Sequence, residues 1–322
     1  MERFFPATTA LLIVNFLLLS LCKACFGATF VFVNGCASTI WPGVLANAGS
    51  SAMQSTGFEL PRGGSVYLSA PPSWSGRVWG RTGCVTDPVT GTFSCLTGDC
   101  GSGEVECNGN NANPPATLAE FTVGSGTAED FYDVSLVDGY NVPVLVQAVG
   151  GTGACMATGC IADLNEQCPA ELRTESGMAC KSACNAFGSP EYCCSGEHSS
   201  PDTCKPSAYS AMFKAACPRS YSYAYDDATS TFTCSGANYV VTFCPSSSSG
   251  EKSATTPDGG MASDSGTGME TGLSTGNVAE TGTVASVPGA VSTGGQMGTV
   301  GPWLPTLLQR SSANTITTIW IF

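Results

Sequence analysis

Gly91-Thr92-Phe93-Ser94-Cys95-Leu96-Thr97-Gly98-Asp99-Cys100, followed by Gly103 and Cys107, is a short run punctuated by glycine and closed by cysteines. It is part of a dense set. The 322-residue chain has 18 cysteines, and all but Cys22 and Cys25 lie between Cys36 and Cys244. Those two fall in an N-terminal segment laid out as a secretory signal: Arg3, the apolar run Ala10 to Leu21, then small residues at Ala24, Gly27 and Ala28. The run is shorter than the roughly 20 residues of a comfortable membrane span. Residues 1–27 therefore read as a signal peptide cleaved after Gly27. An even, dense set of cysteines in an exported chain reads as a disulfide framework. The paired-knuckle pattern of a metal site is missing, only one histidine is present (His198), and the adjacent Cys193-Cys194 makes a poor chelate. No metal and no cofactor is expected.

Outward from this core the chain changes character. Ser246-Ser247-Ser248-Ser249-Gly250 opens a Gly/Ser/Thr/Ala stretch without cysteine, residues 246–301, that buries too little apolar surface to fold and reads as a linker. Residues 302–322 end in the partly apolar Trp303 to Phe322. A small-residue linker before an apolar end is the layout of a GPI-anchor signal, but Gln309 to Asn314 interrupts it, which leaves a plainly secreted protein with a loose end as the other reading. Residues 28–245 hold 8 Lys+Arg and 19 Asp+Glu, a net charge of 8 − 19 = −11. Such a surface lacks the basic patch needed to hold nucleic acid and is repelled by anionic lipid, so contact with a membrane is expected only through a lipid anchor. A neutral polysaccharide remains a suitable partner. No N-x-S/T acceptor for N-glycosylation occurs.

Short β-rich runs recur between turn signals: Thr29 to Val33, Ser65 to Leu68, Arg77 to Trp79, Ala119 to Val123, Phe131 to Val137, Val142 to Val149 and Tyr239 to Phe243. That spacing predicts a sandwich or barrel. Pairing the first strand with the last would bring Cys36 to Cys244. Between Cys155 and Cys217 helices are predicted at Met178 to Phe187 and at Ser207 to Ala216, the second with Ser207 as N-cap and Lys214 set against the helix dipole. Glu120, Asp133 and Asp138 lie in or at the ends of strands, near Phe121, Phe131, Tyr132 and Tyr140. Carboxyls gathered together raise one another's pKa, giving the proton-holding acid and ionised partner that glycoside hydrolysis needs, with aromatic rings to stack on sugars. Solvated surface acids are the plainer account of the same residues.

The opening stretch, the start Ala28-Thr29-Phe30, Pro114 to Phe121, Asp133 to Asn141, Glu191-Tyr192-Cys193-Cys194 and Val241-Thr242-Phe243-Cys244-Pro245 together resemble the thaumatin-like proteins, the plant pathogenesis-related group 5 family. The resemblance covers 28–245 and all its cysteines. It implies a mainly β fold: a flattened sandwich of about eleven strands (28–81, 121–161 and 217–245), a small loop-and-ribbon lobe (82–120) and a disulfide-rich helical lobe (162–216). It implies the bridges Cys36–Cys244, Cys84–Cys95, Cys100–Cys107, Cys155–Cys234, Cys160–Cys217, Cys168–Cys180, Cys184–Cys193 and Cys194–Cys204. It also implies an acidic cleft of Arg77, Glu120, Asp133, Asp138 and Asp227, with Asp226 as the other register for the last, and an Asp of the family pattern replaced here by Arg219. The implied function is secreted, antifungal plant defence through binding of β-1,3-glucan or another wall polysaccharide. Two alternatives stand beside it: a weak endo-β-1,3-glucanase with Glu120 as acid and Asp138 as partner, and a non-enzymatic cell-surface module that binds a protein at the cleft.

Overall fold

In Thr29–Asn34 (β1) Phe30 and Phe32 are fully buried while Thr29, Val31 and Val33 are half-exposed, the period of two of a sheet with one face on a core. The computed structural model describes residues 27–126 and 128–246; the expected signal peptide (1–27), except Gly27, and the expected linker and tail (246–322), except Ser246, lie outside these residues. The further strands are β2 (Trp41–Ala46), β3 (Ser65–Ser69), β4 (Ser75–Arg81), β5 (Val85–Thr86), β6 (Phe93–Ser94), β7 (Leu118–Thr122), β8 (Asp130–Ser135), β9 (Val144–Val149), β10 (Thr158–Cys160), β11 (Phe232–Cys234) and β12 (Asn238–Phe243). Two five-stranded sheets run β10-β9-β12-β1-β3 and β11-β8-β7-β4-β2, and β5 with β6 forms a separate ribbon. The expected mainly β architecture is present, with ten sandwich strands among the described residues.

The first and last strands do pair. β1 lies parallel to β12, Phe30 opposite Tyr239 and Asn34 opposite Phe243, and Cys36–Cys244 closes just beyond. The remaining bridges are Cys84–Cys95, Cys100–Cys107, Cys155–Cys234, Cys160–Cys217, Cys168–Cys180, Cys184–Cys193 and Cys194–Cys204. Between the sheets Phe30 meets Phe121 edge-on at 4.9 Å and Trp74 at 5.4 Å, and Tyr239 meets Phe121 at 5.2 Å. These geometries add to area burial in an aromatic core.

β2 was not expected, because Pro42 and Gly43 break its pattern. Its place at a sheet edge tolerates the proline, and a Cβ at Gly43 would lie 2.5 Å from the Trp79 ring. The predicted helix from Met178 is also shorter. Cys180 instead exchanges two 2.8 Å backbone hydrogen bonds with Tyr140, so α1 (Ala183–Phe187) starts after Ser182, whose Oγ accepts from Asn185 N–H. α2 (Pro190–Cys193) follows, and then α3 (Ala208–Ala216), capped as expected by Ser207 in a capping box with Ser210. Lys214 does more than face the dipole: its Nζ pairs with Asp226 at 2.9 Å and donates to Ser230 Oγ at 2.8 Å. A last turn, α4 (Asp227–Ser230), leads into β11.

The small lobe is tied to the sandwich by buried polar groups. Arg81, fully buried at the end of β4, donates to the carbonyls of Trp41, Pro42 and Val105 at 2.9, 3.2 and 2.6 Å. Burial lowers its pKa to about 10 against the pull of Asp99 and Glu106. Asn141 donates to Gly80 O and Thr97 Oγ1 and accepts from Thr117 N–H, so one side chain joins the sheet, the lobe and the turn after β8.

Candidate functional site

The second sheet sets three charged residues in a row. Arg77 on β4 stands opposite Glu120 on β7, which stands opposite Asp133 on β8. Alternation decides which way they face: Val78, Ala119, Phe121, Tyr132 and Val134 fill the core, so Arg77, Glu120 and Asp133 occupy the outer face. Directly opposed residues on neighbouring strands bring their side chains together. Arg77 Nη2 lies 3.3 Å from Glu120 Oε1, with the two side chains 7% and 24% exposed. Arg77 Nε and Asp133 Oδ2 are buried with no hydrogen-bond partner among the described residues. Buried polar atoms are rarely left so, and here both belong to the same row.

Two further acids approach from loops. Asp138 sits in the turn between β8 and β9. Gly139 makes that turn at φ 84°, and its hypothetical Cβ would lie 2.7 Å from the Cys180 carbonyl. Asp227 opens α4, and the Tyr221 hydroxyl donates to its Oδ1 at 2.8 Å. The two neighbouring acids differ in their contacts. Asp226 accepts from Ser222 N–H and Oγ and pairs with Lys214, a structural set of contacts, whereas Asp227 acts electrostatically on Asp133. Arg219, at the position where the resemblance implied an acid, stacks its guanidinium over Phe232 at 4.8 Å.

Burial dominates the protonation of the row. It raises the Glu120 carboxyl, with Arg77 opposing and Asp138 adding to the rise. It raises Asp133 further, with Glu120 and Asp227 adding and Arg77 opposing. Asp138 is raised by burial against Arg77. The arrangement can therefore hold a proton beside an ionised carboxylate, the pairing required for acid–base work on a glycosidic bond. No group of three or more His, Cys, Asp or Glu among the described residues is arranged to hold a metal ion.

These directions have a stability consequence. A carboxyl whose folded pKa lies above its unfolded value penalises folding above the folded pKa, and the penalty vanishes below the unfolded value of about 3.9. Asp133→Asn removes that penalty. Its thermal midpoint at pH 7 should exceed wild type by about 2–4 °C, the shift that ~1 kcal/mol produces in a domain of this size, and the gain should disappear by about pH 3.5. A variant less stable than wild type at neutral pH would show that Asp133 holds the fold together instead.

Sequence reasoning misplaced most of the aromatics. Phe121, Tyr132 and Tyr140 are 3%, 1% and 0% exposed, because each points into a core, so none can stack on a sugar. Phe131, half-buried and two residues from Asp133 on the same strand, is the one that remains on the acidic face. Tyr221 was missed; nothing local marks it, and only its backbone pairing beside β8 reveals it.

Fold and site together define a disulfide-braced, mainly β domain with a cation-centred acidic site on one sheet. The chain belongs to the thaumatin family, whose model, described as "Thaumatin family", matches residues 34–245, and it is of the plant pathogenesis-related type. It is 66% identical to "Thaumatin-like protein 1" of Arabidopsis thaliana over 68% of this chain and 87% of that one. It is 58% identical to "Pathogenesis-related thaumatin-like protein 3.5" of Cryptomeria japonica, over 70% and 93%. It is 50% identical to a Prunus avium protein named "Glucan endo-1,3-beta-glucosidase", over 72% and 98%.

Proposed function

We propose that this is an exported defence protein that binds β-1,3-glucan of fungal walls through the row Arg77–Glu120–Asp133, completed by Asp138 and Asp227. The observation that carries the reading is the buried cation beside half-buried carboxyls, with donors and acceptors left unused on an outer face. A neutral polymer rich in hydroxyls suits such a site, since hydroxyls both donate to carboxylates and accept from a guanidinium. The domain's charge of −11 disfavours polyanionic partners. The name of the Prunus avium relative supports the same substrate class. Eight bridges support an oxidising, extracellular destination.

Slow hydrolysis is the second reading, favoured by the upward push on Glu120 and Asp138; Glu120 would give the proton and Asp138 would serve as the partner. One experiment covers both. The protein is incubated with laminarin, reducing ends are measured, and retention on insoluble β-1,3-glucan is scored beside Glu120→Gln. Retention by wild type that weakens at least about 10-fold in the variant is expected, a loss of at least ~1.4 kcal/mol. Reducing ends released by wild type and not by Glu120→Gln would establish hydrolysis. Equal retention by the two proteins would remove the row from the binding site.

A further inference from the structure

The segment between α3 and α4 does more than connect them. Tyr221, 6% exposed, extends the sheet beside β8: its N–H donates to the Val134 carbonyl at 2.9 Å, and its carbonyl accepts from Leu136 N–H at 2.8 Å. The strand that carries Asp133 therefore fixes the position of Tyr221 as well. The Tyr221 hydroxyl donates to Asp227 Oδ1 at 2.8 Å and also meets the Thr231 hydroxyl. A phenol has one proton to give, and here it goes to Asp227. The direction follows: Thr231 donates to Tyr221, and Tyr221 donates to Asp227. Asp227 is thus held by a chain rooted in β8.

Arg77 is committed to Glu120, which leaves Asp133 opposite Glu120 on β7, with the charge of Asp227 adding to the push on it and no cation in ion-pair contact among the described residues. Two carboxyls opposed on neighbouring strands cannot both ionise easily when only one has a cation. We infer that Tyr221 is a positioning residue of the acidic site: by fixing Asp227 relative to β8, the strand that carries Asp133, it keeps one proton within the opposed pair of Asp133 and Glu120. The groups that face this pair are Arg77 from β4, Asp227 from α4, Asp138 from the turn after β8 and Tyr221 itself. Burial, Glu120 and Asp227 all favour the protonated form of Asp133, and Arg77 opposes it. The inference rests on the acidic row being the working site, and not on which polymer fills it.

The test is a pH titration of the side-chain carboxyls, followed by carbon NMR, in the exported protein with its bridges intact. Tyr221→Phe keeps the ring and removes only the hydroxyl. The Asp133 midpoint should fall in Tyr221→Phe and in Asp227→Asn, each a several-fold loss of proton affinity, and the double variant should lose no more than the larger single. Thr231→Val should move it in the same direction by less. An Asp133 midpoint that falls in Asp227→Asn but not in Tyr221→Phe would overturn the positioning role, and a midpoint unmoved in both would overturn the shared proton. Retention on insoluble glucan, measured on the same samples, separates this from the preceding proposal. The full titration pattern together with a wild-type protein that is not retained on glucan supports the role of Tyr221 and sinks the polysaccharide reading.

Discussion

Arg77→Met should lower the stability of the domain by about 3–5 kcal/mol at pH 7, the cost of removing one partner from a buried ion pair. In a domain of this size that is a fall of roughly 10 °C in the thermal midpoint. Glu120, Asp133 and Asp138 each have Arg77 as the group that opposes the upward push of burial. Without it, all three are driven further from their unfolded values, and ionisation at neutral pH costs the fold correspondingly more. The deficit fades toward acid. As pH falls below the unfolded carboxyl values, the acids are neutral in both states and the cation has nothing to offset. Wild type then carries a buried charge without a counter-charge, so the gap between the two proteins should close by about pH 3.5. Thermal unfolding at both pH values checks this. An equal deficit at each would show that the aliphatic stem of Arg77, and not its charge, is what the row requires.

How far this was legible in the sequence depends on the range of the interaction. Alternation within β1 and β12 and the Ser207 cap are local, and they could be read directly. β2 was hidden because Pro42 and Gly43 are unfavourable anywhere except at an edge beneath Trp79, a condition set by a strand far along the chain. The helix predicted from Met178 lost its first turn to a backbone pairing with Tyr140, again a distant partner. The acids were visible as residues but not as a row. Glu120 and Asp133 are opposed only because β7 and β8 pair in one register, and a slip of one residue would have sent one of them into the core. For Tyr221 the sequence offers no signal, since its role lies in a hydroxyl that reaches a residue six positions on and a backbone that docks beside β8.

Those two sheets are not stabilised alike, and the bridges make the difference testable. Cys36–Cys244 joins residues separated by 208 positions, and Cys100–Cys107 by 7. In the chain-entropy account, opening the first costs about 5 kcal/mol and opening the second about 2 kcal/mol. The Cys155–Cys234 bridge shortens the first loop in the unfolded chain, but the dependence is logarithmic and the figure stays near 5 kcal/mol. Cys36→Ala/Cys244→Ala should therefore be much the more damaging double substitution, measured as a larger fall in the denaturation midpoint with the other bridges oxidised. The first bridge fastens β1 to β12 in one sheet, whereas Arg77, Glu120 and Asp133 sit on the other. Loss of the long bridge should consequently lower the unfolding midpoint while the folded variant at 25 °C titrates its acidic row as wild type does. If the two double variants lost equal stability, loop length would not set the contribution of these bridges. If the long-bridge variant altered the Asp133 titration while still folded, the two sheets would be mechanically linked through the aromatic core of Phe30, Phe121 and Tyr239.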